Sequence, residues 1–173
     1  AVGGGMTRDV ILGKLPSALE KPVYVVVSVL TSLAIFILLY IKHDLLSGRL
    51  GTFYDKAMLI MDSVGLGIFT SLGVMSGIDN GYPDNSFLLV FIGMLTGVGG
   101  GLLRDIMARQ TPYILKKHVY ACASIAGGIC YSFLLSSPVN NDIAMITSAA
   151  LIIAIRLLAT HYCWNLPRAL KQS

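Results

Sequence analysis

Five long apolar runs alternate with short polar segments along this 173-residue chain. The first covers 23–41, and a charged stretch at 42–56, carrying Asp44, Arg49 and Asp55, separates it from the second at 57–78. The polar turn 79–85 precedes a third run at 86–103, which Gly93, Gly97 and the triplet Gly99-Gly100-Gly101 interrupt. A fourth occupies 119–135. A fifth starts at Asp142, read as its N-cap, and reaches about Trp164 before Pro167 stops it. Each run approaches the ~20 residues that a helix needs to cross a bilayer core. The runs are apolar all round instead of alternating over about ten residues, which excludes barrel strands, and open strands in lipid would leave backbone groups unpaired. The pattern therefore predicts an all-α polytopic membrane protein.

Composition agrees: 55% of residues are hydrophobic and 13% are charged, with a mean hydropathy of +0.74. A soluble domain would carry about 25% charge, and this length leaves no room for a sizeable soluble domain beside several spans. The net charge of +4 reads as topology and not as nucleic-acid binding. Alternating loops place Lys42, Arg49, Lys56, Arg104, Arg109, Lys116, Lys117, Arg168 and Lys171 on one side. Arg8, Lys14 and Lys21 lie on the other, offset by Asp9, Glu20, Asp79, Asp84 and Asp142. The first side, with the C-terminus, is expected to be cytoplasmic in a multi-pass protein of the cell's inner membrane. Tyr24, Tyr40, Tyr54, Tyr82, Tyr120, Tyr162 and Trp164 fall near span ends, as an aromatic belt requires. Cys122, Cys130 and Cys163 lack metal or disulfide spacing, and His43, His118 and His161 have no acidic partners at motif spacing. Neither a metal, a cofactor nor an enzyme is expected.

The chain repeats itself. Residues 2–24, VGGGMTRDVILGKLPSALEKPVY, align without gaps on 98–120, VGGGLLRDIMARQTPYILKKHVY, with 11 of 23 positions identical. The matches pair Arg8 with Arg104, Asp9 with Asp105, Pro16 with Pro112, Lys21 with Lys117 and Tyr24 with Tyr120. Three crossings separate the copies, so they point in opposite directions, as in an inverted repeat of three helices plus three. The second copy has a helix and a half before its glycines, whereas the first has nothing before Ala1. The expectation is a fold of seven spans, with helix 1 and part of helix 2 encoded about forty residues upstream. Residues 1–54 then close the first repeat, 55–141 form the second, and 142–173 hold the seventh helix and a tail.

The repeated unit is GGGxxRDxxxxxxP. Three adjacent glycines cost a helix about 1 kcal/mol each relative to Ala and favour an opened backbone with inward carbonyls, tolerated at depth only beside protein or water. Gly3, Gly4, Gly5, Gly99, Gly100 and Gly101 are thus candidate hinges. Small residues at such positions also permit close helix packing. Intramembrane charge is costly, which makes Arg8, Asp9, Arg104 and Asp105 pathway candidates, together with Asp62. Thr70 and Ser71 follow Asp62 as candidate pore hydroxyls, the alternative being a small-residue packing seam. Arg156 is read as a structural residue snorkelling to the interface, and Asp142 as a cap.

The paired GGGxxRD…P motifs, the DSVGLGIFTSLG helix and the closing IRLLATHYCWNLP resemble prokaryotic members of the trimeric intracellular cation channel family, some of whose relatives carry a glycine-transporter label. The resemblance covers essentially the whole chain. It implies a homotrimer among membrane lipids, with one pore per protomer conducting potassium and sodium, and kinks at Gly3 to Gly5 and Gly99 to Gly101. The eukaryotic branch has a Lys-Glu-Val type motif after its glycines and binds an inositol lipid. Here Arg8-Asp9-Val10 and Arg104-Asp105-Ile106 stand instead, so lipid regulation is not carried over. The rival reading is a secondary transporter of glycine or a similar zwitterion, which broken helices and an Arg-Asp pair would suit equally.

Overall fold

The computed structural model describes residues 2–41, 49–112, 114, 119–162 and 164. His43, His118, Cys163, Lys42, Asp44, Lys116, Lys117, Arg168 and Lys171 lie outside the described residues. Among those described there are seven helices and no strand: α1 (Gly3–Ile11), α2 (Ser17–Glu20), α3 (Val23–Ile41), α4 (Arg49–Asp79), α5 (Ser86–Met107), α6 (Val119–Leu135) and α7 (Asn141–His161). Three stretches are long and apolar enough to span a bilayer, Ala57–Asp79, Ser86–Met107 and Asn141–His161, and Val23–Leu38 and Val119–Leu135 are shorter apolar helices.

Helix ends follow local chemistry. Asn85 opens α5 by accepting a hydrogen bond from the Leu88 N–H at 3.0 Å. At α7 the cap is Asn140, whose side chain accepts from the Asp142 N–H at 3.1 Å, which corrects the assignment of that role to Asp142. Asp142 instead lies in the first turn, where its charge suits the helix dipole. The same helix ends at His161, three residues before the expected Trp164. The charged stretch before the second run is not all connector, because α4 already begins at Arg49.

Both glycine triplets are helical in this structure. Gly97 and Gly99 to Gly101 lie within a continuous α5, and Gly3 to Gly5 form the first turn of α1. The propensity cost is outweighed because the missing side chains let the two helices touch. A Cβ on Gly4 would overlap the Thr96 carbonyl oxygen, and one on Gly99 would lie 3.2 Å from the Gly4 Cα. The backbone stays helical through this crossing.

The molecule is organised around α4, α5, α6 and α7, which pack on one another, with α1 resting on α5. Leu66, Val98, Tyr120, Ala123 and Ile152 form one buried cluster; Val74, Leu89, Tyr131 and Ala144 form another. Small residues draw the helices together between them. A Cβ on Gly73 would lie 2.8 Å from the Gly93 Cα, and one on Gly67 would lie 2.8 Å from the Ala149 carbonyl oxygen. Interhelical hydrogen bonds reinforce the contact: the Thr70 and Ser124 hydroxyls are 2.7 Å apart, and Ser148 donates to the Gly127 carbonyl at 2.8 Å. By contrast α3 packs on the one-turn α2, and its described large apolar side chains from Val23 to Leu38 are exposed.

Candidate functional site: a charged cavity between four helices

The two copies of the repeat end in the same turn. In the first, Gly13 N–H donates to the Val10 carbonyl and Lys14 N–H to that of Asp9; in the second, Arg109 donates to Ile106 and Gln110 to Asp105. This is the six-to-one, five-to-two closure of a Schellman motif, whose turning residue is left-handed. Accordingly Gly13 has φ +70° and Arg109 has φ 54°. The turn places each Arg-Asp pair in the last stretch of its helix. Arg8 Nη2 lies 2.7 Å from Asp9 Oδ1, and Arg104 Nη2 lies 2.9 Å from Asp105 Oδ1.

Beyond that the copies diverge. The second oxygen of Asp9 accepts from the Ser17 N–H at 2.8 Å and the Ser17 hydroxyl at 3.0 Å, so this carboxylate holds the start of α2 and is buried. Asp105 and Arg104 instead line a cavity of about 410 Å³ with Asp62, Gly101, Tyr120 and Arg156. A neighbouring cavity of about 270 Å³ shares Asp62, Gly101, Arg104 and Tyr120, and follows the α4–α5 seam by Gly65, Phe69 and Gly97 as far as Thr96. The two glycine triplets meet where Gly4 crosses Gly99 and Gly100, but neither cavity is lined by Gly3 to Gly5, Arg8 or Asp9.

Asp62 is the centre of this site. Its Oδ2 accepts from Arg156 Nη2 at 2.9 Å and its Oδ1 from the Tyr120 hydroxyl at 3.2 Å, while the Arg156 guanidinium lies 4.4 Å from the Tyr120 ring centroid. Arg156 is only 2% exposed; it does not snorkel but turns inward to a carboxylate 94 residues away in sequence. Sequence reasoning missed Tyr120 and Arg156 as site residues, although a guanidinium within an apolar run was itself a signal. Thr70 and Ser71 are fully buried. Thr70 is bonded to Ser124, and Ser71 lies at a weak 3.4 Å from the Met145 carbonyl. Both sit in the small-residue packing seam that is the alternative reading for them.

An all-helical membrane protein with a repeated Arg-Asp unit, and with a two-acid, two-guanidinium cavity in its four-helix core, is thereby defined. A family model described as "Glycine transporter" matches residues 1–40 and 59–136, and the chain belongs to that family. It is 34% identical over 172 residues to the UPF0126 inner membrane protein YadS of Escherichia coli K12, covering 96% of this chain and 77% of the relative. Against a UPF0126 membrane protein of Vibrio cholerae it is 30% identical over 167 residues, covering 96% of this chain and just under two thirds, 66%, of the relative's length. Among solved structures, one concerned with conductance through TRIC cation channels superimposes with a TM-score of 0.85 at 33% identity, over 100% of this chain and 80% of that one. A prokaryotic TRIC channel crystallised in 0.5 M KCl gives a TM-score of 0.77 at 27% identity, over 95% of this chain and 78% of the other.

Proposed function

We propose that this protein is a cation channel of the inner membrane, conducting potassium and sodium as a homotrimer with one pore per protomer and with its C-terminus in the cytoplasm. The observation that carries this reading is the likeness, along the whole chain, to a structure of TRIC cation channels. The path begins in the 410 Å³ cavity, passes Arg104, Asp105 and Asp62, and follows the α4–α5 seam past Gly101 and Gly97. Asp62 and Asp105 supply the field that favours cations, and the helical α5 is one end of a gating motion that bends at Gly99 to Gly101. Purified protein in a planar bilayer under a KCl gradient should show unitary steps reversing near the potassium potential. Alanine at Gly99 to Gly101 should change open probability more than protein abundance, and an unchanged open probability would discard the hinge.

One observation favours the rival reading, a secondary transporter of glycine or a similar zwitterion. The cavity balances Asp62 and Asp105 against Arg104 and Arg156, an arrangement that could hold a carboxylate and an ammonium together. Saturable glycine uptake into proteoliposomes, with no unitary steps, would establish that reading and remove the first.

A further inference from the structure

Asp62 would be the natural resting point for a cation in the path, yet another cation already occupies it. Arg156 reaches it from α7 at 2.9 Å, held over the Tyr120 ring, while the Tyr120 hydroxyl takes the other oxygen. About a third of the Asp62 side chain, 32%, remains exposed, and both cavities border it. Arg156 is the largest fully buried side chain among the described residues and borders the larger cavity, so its charge stays beside the path when its partner changes. A bare carboxylate in a low-dielectric wall would hold a cation tightly and slow its departure, whereas conduction needs binding weak enough to release. A bare guanidinium at the same place would repel cations. The pair avoids both extremes only while it stays together.

We propose that Arg156 is a tethered counter-ion that sets the charge of the conduction path at Asp62, with Tyr120 clamping the pair. The inference rests on the channel reading above. It makes Arg156 a specificity-determining residue, although it comes from a helix outside the repeat.

Unitary conductance, reversal potential under a KCl gradient and block by millimolar Mg²⁺ are measured in planar bilayers for the unmodified protein and its variants. Asp62→Asn removes the negative charge that balances the guanidinium, and potassium conductance should fall at least about tenfold, with reversal moving toward the chloride potential. Arg156→Gln leaves the carboxylate alone, and Mg²⁺ block should strengthen at least about tenfold. The double variant should return to within about twofold of the unmodified protein on all three measures, because the uncompensated charge is gone. Single variants with unchanged selectivity and block, or a double variant that sums the two defects, would overturn the proposal. Should the single variants fail to fold, Tyr120→Phe decides the matter. It keeps both charges and frees one Asp62 oxygen, so Mg²⁺ block should rise about threefold, and unchanged block would overturn the proposal. A conducting protein with insensitive variants defeats this inference alone, whereas an unmodified protein that never conducts defeats the channel reading and this inference with it.

Discussion

Residues 8–9 and 104–105 are two copies of one Arg-Asp unit, each paired internally and each followed by the same left-handed turn, yet they do different work. Asp9 is buried, with its second oxygen spent on Ser17, and the Arg8 side chain is 15% exposed. Arg104 is 58% exposed and, with Asp105, lines the charged cavity. The tyrosines that end the copies diverge in the same sense: Tyr24 is 56% exposed, and Tyr120, at 5%, clasps Asp62. The repeat preserves backbone form. Both carboxylates are buried and paired, and what packs against each copy decides whether its charges also face a cavity. Among the described residues, α4 and α7 flank the second copy and bring Asp62 and Arg156 to it.

The largest effect that tests this comparison lies in the first glycine triplet, where space differs sharply between neighbours. A Cβ on Gly4 would collide with the Thr96 carbonyl, a backbone atom that cannot swing away, while one on Gly5 meets nothing closer than Arg8 Nη2 at 4.0 Å. Gly4→Ala should therefore destabilise the protein by more than about 3 kcal/mol, because a backbone atom blocks the new methyl and α1 must separate from α5. Gly5→Ala should raise stability by up to about 1 kcal/mol through helix propensity. Thermal unfolding in detergent micelles measures both. Equal shifts would mean that the crossing does not hold the helices together.

Next in size is the division of labour between the acids. Asp9→Asn weakens the ion pair with Arg8 and the charge-assisted bonds to Ser17, and should cost about 1.5–3 kcal/mol of stability, with unitary conductance unchanged in the molecules that fold. Asp105→Asn weakens the ion pair with Arg104 of an equally buried carboxylate, and should add to a loss of stability a clear fall in cation conductance in the molecules that fold. If Asp9→Asn alters conductance as strongly as Asp105→Asn does, both copies face the path and the asymmetry argued above is wrong.

The spans and the repeat were legible because each is local: a run of apolar residues, a string of identities in register. The partner of Arg156 was not. Helices that are apolar all round carry no periodicity to say which face turns inward, and the contact joins α4 to α7 across 94 positions. The glycine triplets were visible but underdetermined, since the same residues permit either an opened backbone or a close crossing. The helix took the crossing because Thr96, Gly99 and Gly100 stand opposite Gly4. Asp62 was found as an intramembrane acid, and its neutralisation lay in tertiary structure alone.

The smallest expected effect probes the turn that the copies share. At this position a helix end needs a left-handed residue; the first copy has Gly13, with nothing within 4 Å of a would-be Cβ, and the second has Arg109. A side chain in that conformation costs about 1 kcal/mol relative to glycine, independent of contacts. Arg109→Gly should therefore stabilise the second copy by up to that amount, and Gly13→Ala should weaken the first by a similar amount, since the space is open and only the backbone conformation resists. Measured together by thermal unfolding, the two changes should be opposite in sign and comparable in size. A loss of stability in Arg109→Gly would show that the Arg109 side chain makes a contact worth more than the strain it carries, and the two turns would then differ in energy as well as in sequence.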